Sequence, residues 1–192
     1  YEGNFSKDLF ELYREGLHQD VFLENGIISR WSYNNIVNSA LKMKEIAWAM
    51  QFLEDNRAKL EPAYRDTSYY FNLARCLYEN GEFANALESL TRMEYDDVLQ
   101  NLSAKTLQAK IYFDMHAWQA LDSLLDSVSI YIRRKKVLGY HKENFSNTLR
   151  FMQRLMALPP GDRESKIQLK TDIENCKVLG EKAWFLGKLN TA

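Results

Sequence analysis

The side chains with the most chemical potential in this chain are three histidines, two cysteines and one basic run. His18, His116 and His141 stand far apart. A helical zinc site sets two imidazoles four residues apart on one face with a carboxylate between them, and no such pair occurs. Cys76 and Cys176 lie a hundred residues apart, without the short spacing of a metal or redox motif, and both read as free thiols. A glycine-rich phosphate loop and a Gly-x-Ser-x-Gly nucleophile turn are both missing. The many carboxylates are scattered as on a solvated helix surface. The expectation is therefore a non-catalytic protein with no metal and no cofactor. The run Arg133-Arg134-Lys135-Lys136 has two readings. At a helix C-terminus its cations favour the macrodipole by about 0.3–1 kcal/mol; alternatively, it contacts a small anion or nucleic acid.

Composition narrows the setting. Of 192 residues, 46% are hydrophobic and 13% aromatic, enough for a core. Three prolines and eight glycines favour helices with short connections. With 25 basic and 26 acidic residues the net charge is −1, which argues against a nucleic-acid partner. No apolar run reaches the eighteen or so residues that span a bilayer, so no membrane insertion is expected. No signal peptide is visible, which points to the cytoplasm. The chain opens at Tyr1 without a methionine, as expected of a piece of a longer protein.

The elements that must position any functional surface centre on Tyr70 to Met93, YFNLARCLYENGEFANALESLTRM. Tyr70, Leu73, Ala74 and Leu77 recur at helical spacing, as do Ala86, Leu87, Leu90 and Met93 after a turn at Glu79-Asn80-Gly81-Glu82. Gly81 suits a left-handed helix end, and Phe83 follows as an aromatic plug. Ala74 and Ala86 are small where two helices approach closely. Before this unit, a helix is expected over 4–23, broken by Glu24-Asn25-Gly26. Ser29 caps a second helix with Trp31, Tyr33, Ile36, Val37 and Ala40 on its apolar face. A third carries Ile46, Ala49, Met50 and Leu53. Glu61-Pro62 with Asp66-Thr67-Ser68, and Asp96-Asp97 with Asn101-Leu102-Ser103, mark breaks and new caps. Pro159-Pro160-Gly161 separates a helix over 140–157 from one long final helix over 162–188, capped by Asp162, with Leu169, Ile173, Cys176, Ala183 and Trp184 inward. No period-two strand is expected.

The central unit has counterparts. A shift back of 37 residues pairs Tyr70 with Tyr33, Phe83 with Ile46, Ala86 with Ala49 and Leu90 with Leu53. A shift forward of 34 pairs Leu73 with Leu107, Ala86 with Ala120 and Leu90 with Leu124. In that forward register Ala74 meets Gln108, and Phe83 finds Trp118 only after a one-residue slip. The units, about 30–59, 67–94 and 102–136, cannot bury their apolar faces alone and must stack.

On these residues the chain resembles the tetratricopeptide-repeat-like (TPR-like) proteins, most specifically at Leu73, Ala74, Gly81, Phe83 and Ala86. The segments SRWSYNNIVNSAL, YHKENFSNTLRFMQRL and KIYF…ALDSLLDS are also similar to an uncharacterised group of bacterial TPR-like proteins. The resemblance implies a single all-α domain over 1–192, a right-handed alpha-alpha superhelix, and a scaffold binding a protein or peptide in its concave groove. Carried over residue by residue, it lines that groove with Asn34, Asn35, Asn38, Lys42, Asn72, Arg75, Tyr78, Glu79, Lys105 and Tyr112, beside Phe71, Thr106 and Ala109. Asparagine suits an extended peptide, because its amide pairs with backbone N–H and C=O together. Two alternatives stay open. SYNNIVNSALKMKEIAWAMQFLED also resembles a pentatricopeptide unit, implying RNA binding with Asn34 and Asn35 near the base-reading positions. A rigid structural or dimerisation module fits the same helices.

Overall fold

The computed structural model describes residues 2–93, 97–135 and 139–191. Among the described residues the protein is all-α: ten helices make it about 79% helical. They are α1 Glu2–His18, α2 Arg30–Lys42, α3 Ile46–Asn56, α4 Arg65–Glu79, α5 Phe83–Thr91, α6 Val98–Asp114, α7 Trp118–Arg134, α8 Gly139–Met156, α9 Arg163–Asn175 and α10 Lys182–Thr191. The chain divides into two compact units, Tyr1–Tyr95 and Asp96–Ala192, each with its own hydrophobic core.

In the first unit, α1 stops at His18 rather than near Leu23, and a small antiparallel hairpin follows, β1 Leu23–Glu24 with β2 Ile27–Ile28. Asn25 and Gly26 both have positive φ (53° and 80°), the two-residue turn that matches strand twist. Strands two residues long carry no alternation to read, so this hairpin escapes a search for period-two strands and leaves the all-α class unchanged. A Cβ at Gly16 on α1 would lie 2.6 Å from the Phe22 ring, which would have to move to admit it. The core of this unit gathers Tyr33, Ile36, Val37, Ala49 and Leu53. Tyr33 is fully buried, and its hydroxyl donates to the Leu53 carbonyl at 3.1 Å. Trp31 is 69% exposed instead, off the apolar face assigned to it.

Three helical hairpins, α2–α3, α4–α5 and α6–α7, share one turn. Each first helix ends in a residue with left-handed backbone: Lys44 (φ 60°), Gly81 (φ 80°) and His116 (φ 55°). The following N–H reaches back to a helix carbonyl in each case: Glu45 to Ala40 at 3.0 Å, Glu82 to Leu77 at 2.8 Å, and Ala117 to Tyr112 at 2.9 Å. This is the Schellman closure. A large apolar residue then opens each second helix: Ile46, Phe83 and Trp118. The left-handed residues lie 37 and 35 residues apart. The forward shift of 34 is therefore corrected to 35. In that register Trp118 matches Phe83 without a slip, Ala109 matches Ala74, and buried Leu121 replaces Ala120 as the partner of Ala86. Within the first unit α4 packs on both α2 and α3; within the second, α8 packs on both α6 and α7.

Several expected boundaries move. Asp66-Thr67-Ser68 is no cap, since α4 starts at Arg65 and Ser68 is fully buried in it. A 3-10 turn at Pro62–Tyr64 leads into α4 directly, so no side-chain cap begins it. Asp97 does cap α6, accepting from the Leu99 and Gln100 N–H groups at 2.8 and 3.2 Å, whereas Asn101-Leu102-Ser103 lies inside that helix. Asp96 and Lys136 lie outside the described residues. The long final helix is two helices. Its break is held by α8: Asn144 accepts from the Gly180 N–H at 2.6 Å, and Asn147 donates to the Val178 carbonyl at 2.9 Å. The break resets the helical phase, so Phe185 and Leu189 are buried while Ala183, assigned inward, is exposed.

Candidate peptide-binding face

In the first unit, four of the expected groove residues meet between α2 and α4. Asn72 is fully buried; its amide NH2 donates to the Ser68 carbonyl at 2.8 Å and to the Asn34 amide oxygen. Its own oxygen accepts from Arg75 at 3.1 Å, and the other Arg75 nitrogen donates to the Asn38 oxygen at 2.8 Å. The helical spacing explains the meeting. Asn34 and Asn38 stand one turn apart on α2, Asn72 and Arg75 one turn apart on α4, so the two short stripes face each other.

This arrangement corrects two assignments. Asn72 is a buried brace between the helices and not an open groove residue, since both its amide groups bond within the unit. Tyr78 is also buried, with its ring 5.8 Å from Phe83 across the Schellman turn. What remains at the surface is Asn35, Lys42 and Glu79, with Asn34, Asn38 and Arg75 half-buried beside them. The Arg75 guanidinium lies 5.8 Å from the Phe71 ring centroid. A surface of this kind offers amide, cation and carboxylate groups in helical register to a polar backbone.

In the second unit, Lys105 and Tyr112 are joined through a residue that sequence reasoning passed over. Gln108 accepts from Lys105 at 3.0 Å and donates to the Tyr112 hydroxyl at 2.9 Å. Burial of the Lys105 ammonium holds its pKa below the usual lysine range. The i, i+3, i+4 spacing of these three residues was the available signal. Thr106 and Ala109 line a small cleft beside Lys105.

The cysteines differ in setting. Cys76 is fully buried on α4, and loss of solvent pushes its thiol up to about 12, while Cys176 is half-buried. Among the described residues no group of three His, Cys, Asp or Glu side chains is placed to hold a metal ion. None of the described helices is long and apolar enough to cross a membrane. Comparison of the chain with protein-family models, with curated proteins and with solved structures found no match.

Proposed function

We propose that this protein is a non-catalytic scaffold of TPR-like helical hairpins, forming a right-handed alpha-alpha superhelix and binding an extended peptide on the first helices of its hairpins. The observation that carries this reading is the common Schellman turn at Lys44, Gly81 and His116, 37 and 35 residues apart. Hairpins closed in the same way and opened by the same kind of apolar residue are the mark of a repeated unit. In the first unit the peptide meets Asn35, Lys42 and Glu79, which are exposed, beside an Asn38–Arg75 pair already fixed in orientation by its hydrogen bond. Preorganised polar groups lose less conformational freedom on binding.

The test is selection of displayed random peptides on the intact chain, followed by calorimetry with the enriched sequences. Asn35→Ala, Lys42→Ala and Glu79→Ala, all at exposed positions, should each weaken the selected peptides while leaving the helical spectrum unchanged. Enriched peptides that bind the triple variant as well as the parent would place the binding surface elsewhere.

A further inference from the structure

A cleft of about 160 Å³ in the second unit, between the end of α7 and the face of α8, has a composition unlike the rest of this near-neutral protein. From α7 it takes Ser129 and Arg133; from α8 it takes Lys142, Ser146, Arg150 and Gln153. These are positions i, i+4 on one helix and i, i+4, i+8, i+11 on the other, so two continuous helical stripes face one space. Ile132 and Leu149 complete its wall. No acidic side chain lines it among the described residues. Nor does Arg133, Lys142 or Arg150 form an ion pair with a described residue. Asp172, whose carboxylate feels the Arg150 charge, is already bonded to Arg154 at 2.6 Å and to Gln168 at 2.8 Å.

Helix-end electrostatics account for only part of this. Arg133 lies in the last turn of α7, where a cation favours the dipole. Lys142 lies in the first turn of α8, the end that disfavours a cation, and Arg150 lies well inside that helix. Arg133, Lys142 and Arg150 are exposed at its rim, where solvent screens their mutual repulsion and an anion in the cleft would be attracted by all three. An open cleft of about 160 Å³ is large enough to admit a tetrahedral oxyanion. Serine hydroxyls and guanidinium N–H groups are the donors such an anion takes.

We propose that this cleft binds a single phosphate- or sulfate-type group, with Arg133, Lys142 and Arg150 supplying charge and Ser129 and Ser146 supplying hydroxyl donors. The group belongs either to a free phosphate compound or to a lipid headgroup. None of these five residues is among those assigned to the peptide face, so the proposal does not depend on that reading.

The experiment titrates inorganic phosphate into the intact isotope-labelled chain, with sodium chloride at matched ionic strength as the reference, and follows amide resonances of α7 and α8. Saturable shifts are expected with phosphate and not with chloride. Lys142→Gln and Arg150→Gln should each weaken the association by about tenfold or more, the loss expected on removing one charge-assisted hydrogen bond. Arg134→Gln, an exposed neighbour outside the cleft, should leave it unchanged. A parallel arm with phosphatidic acid vesicles against phosphatidylcholine vesicles separates the two sources. Phosphate binding alone assigns a soluble ligand, and binding to the acidic vesicles as well assigns a headgroup. Phosphate shifts no different from chloride, or an equal loss in Arg134→Gln, would overturn the site. Tight binding of single-stranded RNA with a salt slope of several phosphates would also overturn it, in favour of a polyanion surface.

Discussion

Asn72 shows how one residue can hold two helices in register. Its burial is tolerable because Ser68, Asn34 and Arg75 satisfy the amide. Removing one partner from a buried hydrogen-bonded group costs about 1–3 kcal/mol. Asn72→Ala should therefore lower urea stability by that order, whereas Asn35→Ala, exposed on the adjacent position of α2, should stay within about 0.5 kcal/mol. Similar losses for both would remove the brace from the account. The two cysteines make a second comparison. A thiol reacts as thiolate, and burial holds Cys76 protonated up to about pH 12. A disulfide reagent at pH 8 should label half-buried Cys176 in the folded protein and reach Cys76 only on unfolding. Rapid labelling of both under native conditions would contradict the packing of α4 against its neighbours.

At the scale of elements, the three Schellman turns use one geometry with three different residues, and the steric cost differs. A residue with a Cβ in the left-handed region is penalised by about 1–2 kcal/mol, which Gly81 avoids. A Cβ at Gly81 would meet nothing within 4 Å, so Gly81→Ala reads the backbone cost less about 0.5–1 kcal/mol for the glycine freedom lost from the unfolded chain, and should destabilise by no more than about 1.5 kcal/mol. Lys44→Gly removes the same strain in the first hairpin. The extra freedom of glycine in the unfolded chain offsets about 0.5–1 kcal/mol of that gain. The net effect should lie between neutral and a stabilisation of about 1.5 kcal/mol. Urea midpoints that fall equally for both substitutions would show that the turns are not equivalent. The shared turn was legible at Gly81 and hidden at Lys44 and His116. Neither lysine nor histidine announces a left-handed backbone; the carbonyls of Ala40 and Tyr112 impose it there by accepting the Schellman hydrogen bonds.

For the molecule as a whole, charge decides between classes of partner. Each phosphate neutralised on a single strand contributes about −0.7 to the log–log salt slope, and binding of this kind requires a surplus of cations. With a net charge of −1, the intact chain should show no affinity for mixed single-stranded RNA oligomers at physiological salt by fluorescence anisotropy. Micromolar binding that weakens steeply with salt and falls on changing Arg133 and Arg134 to Ala would favour the pentatricopeptide-like reading over the peptide scaffold.

The all-α class, the Gly81 turn, the Asp162 cap after Pro159-Pro160-Gly161 and the buried stripes at Ala74 and Ala86 were all determined by the sequence itself. Each rests on a local rule: helical period, a missing Cβ, a missing N–H or a short polar side chain at a helix start. Asp162, for example, accepts from the Ser165 N–H at 3.0 Å. Tertiary structure alone decided the matters that depend on partners distant in the chain. It split the final helix, because Asn144 and Asn147 on α8 satisfy backbone groups near Gly180 that a continuous helix would have paired internally. It turned Asn72 from a surface amide into a buried one, since a polar residue on a helix face is exposed or enclosed according to what packs over it. It also set the third hairpin at 35 residues and not 34, because apolar residues at i and i+1 fit either register until the turn hydrogen bonds choose one.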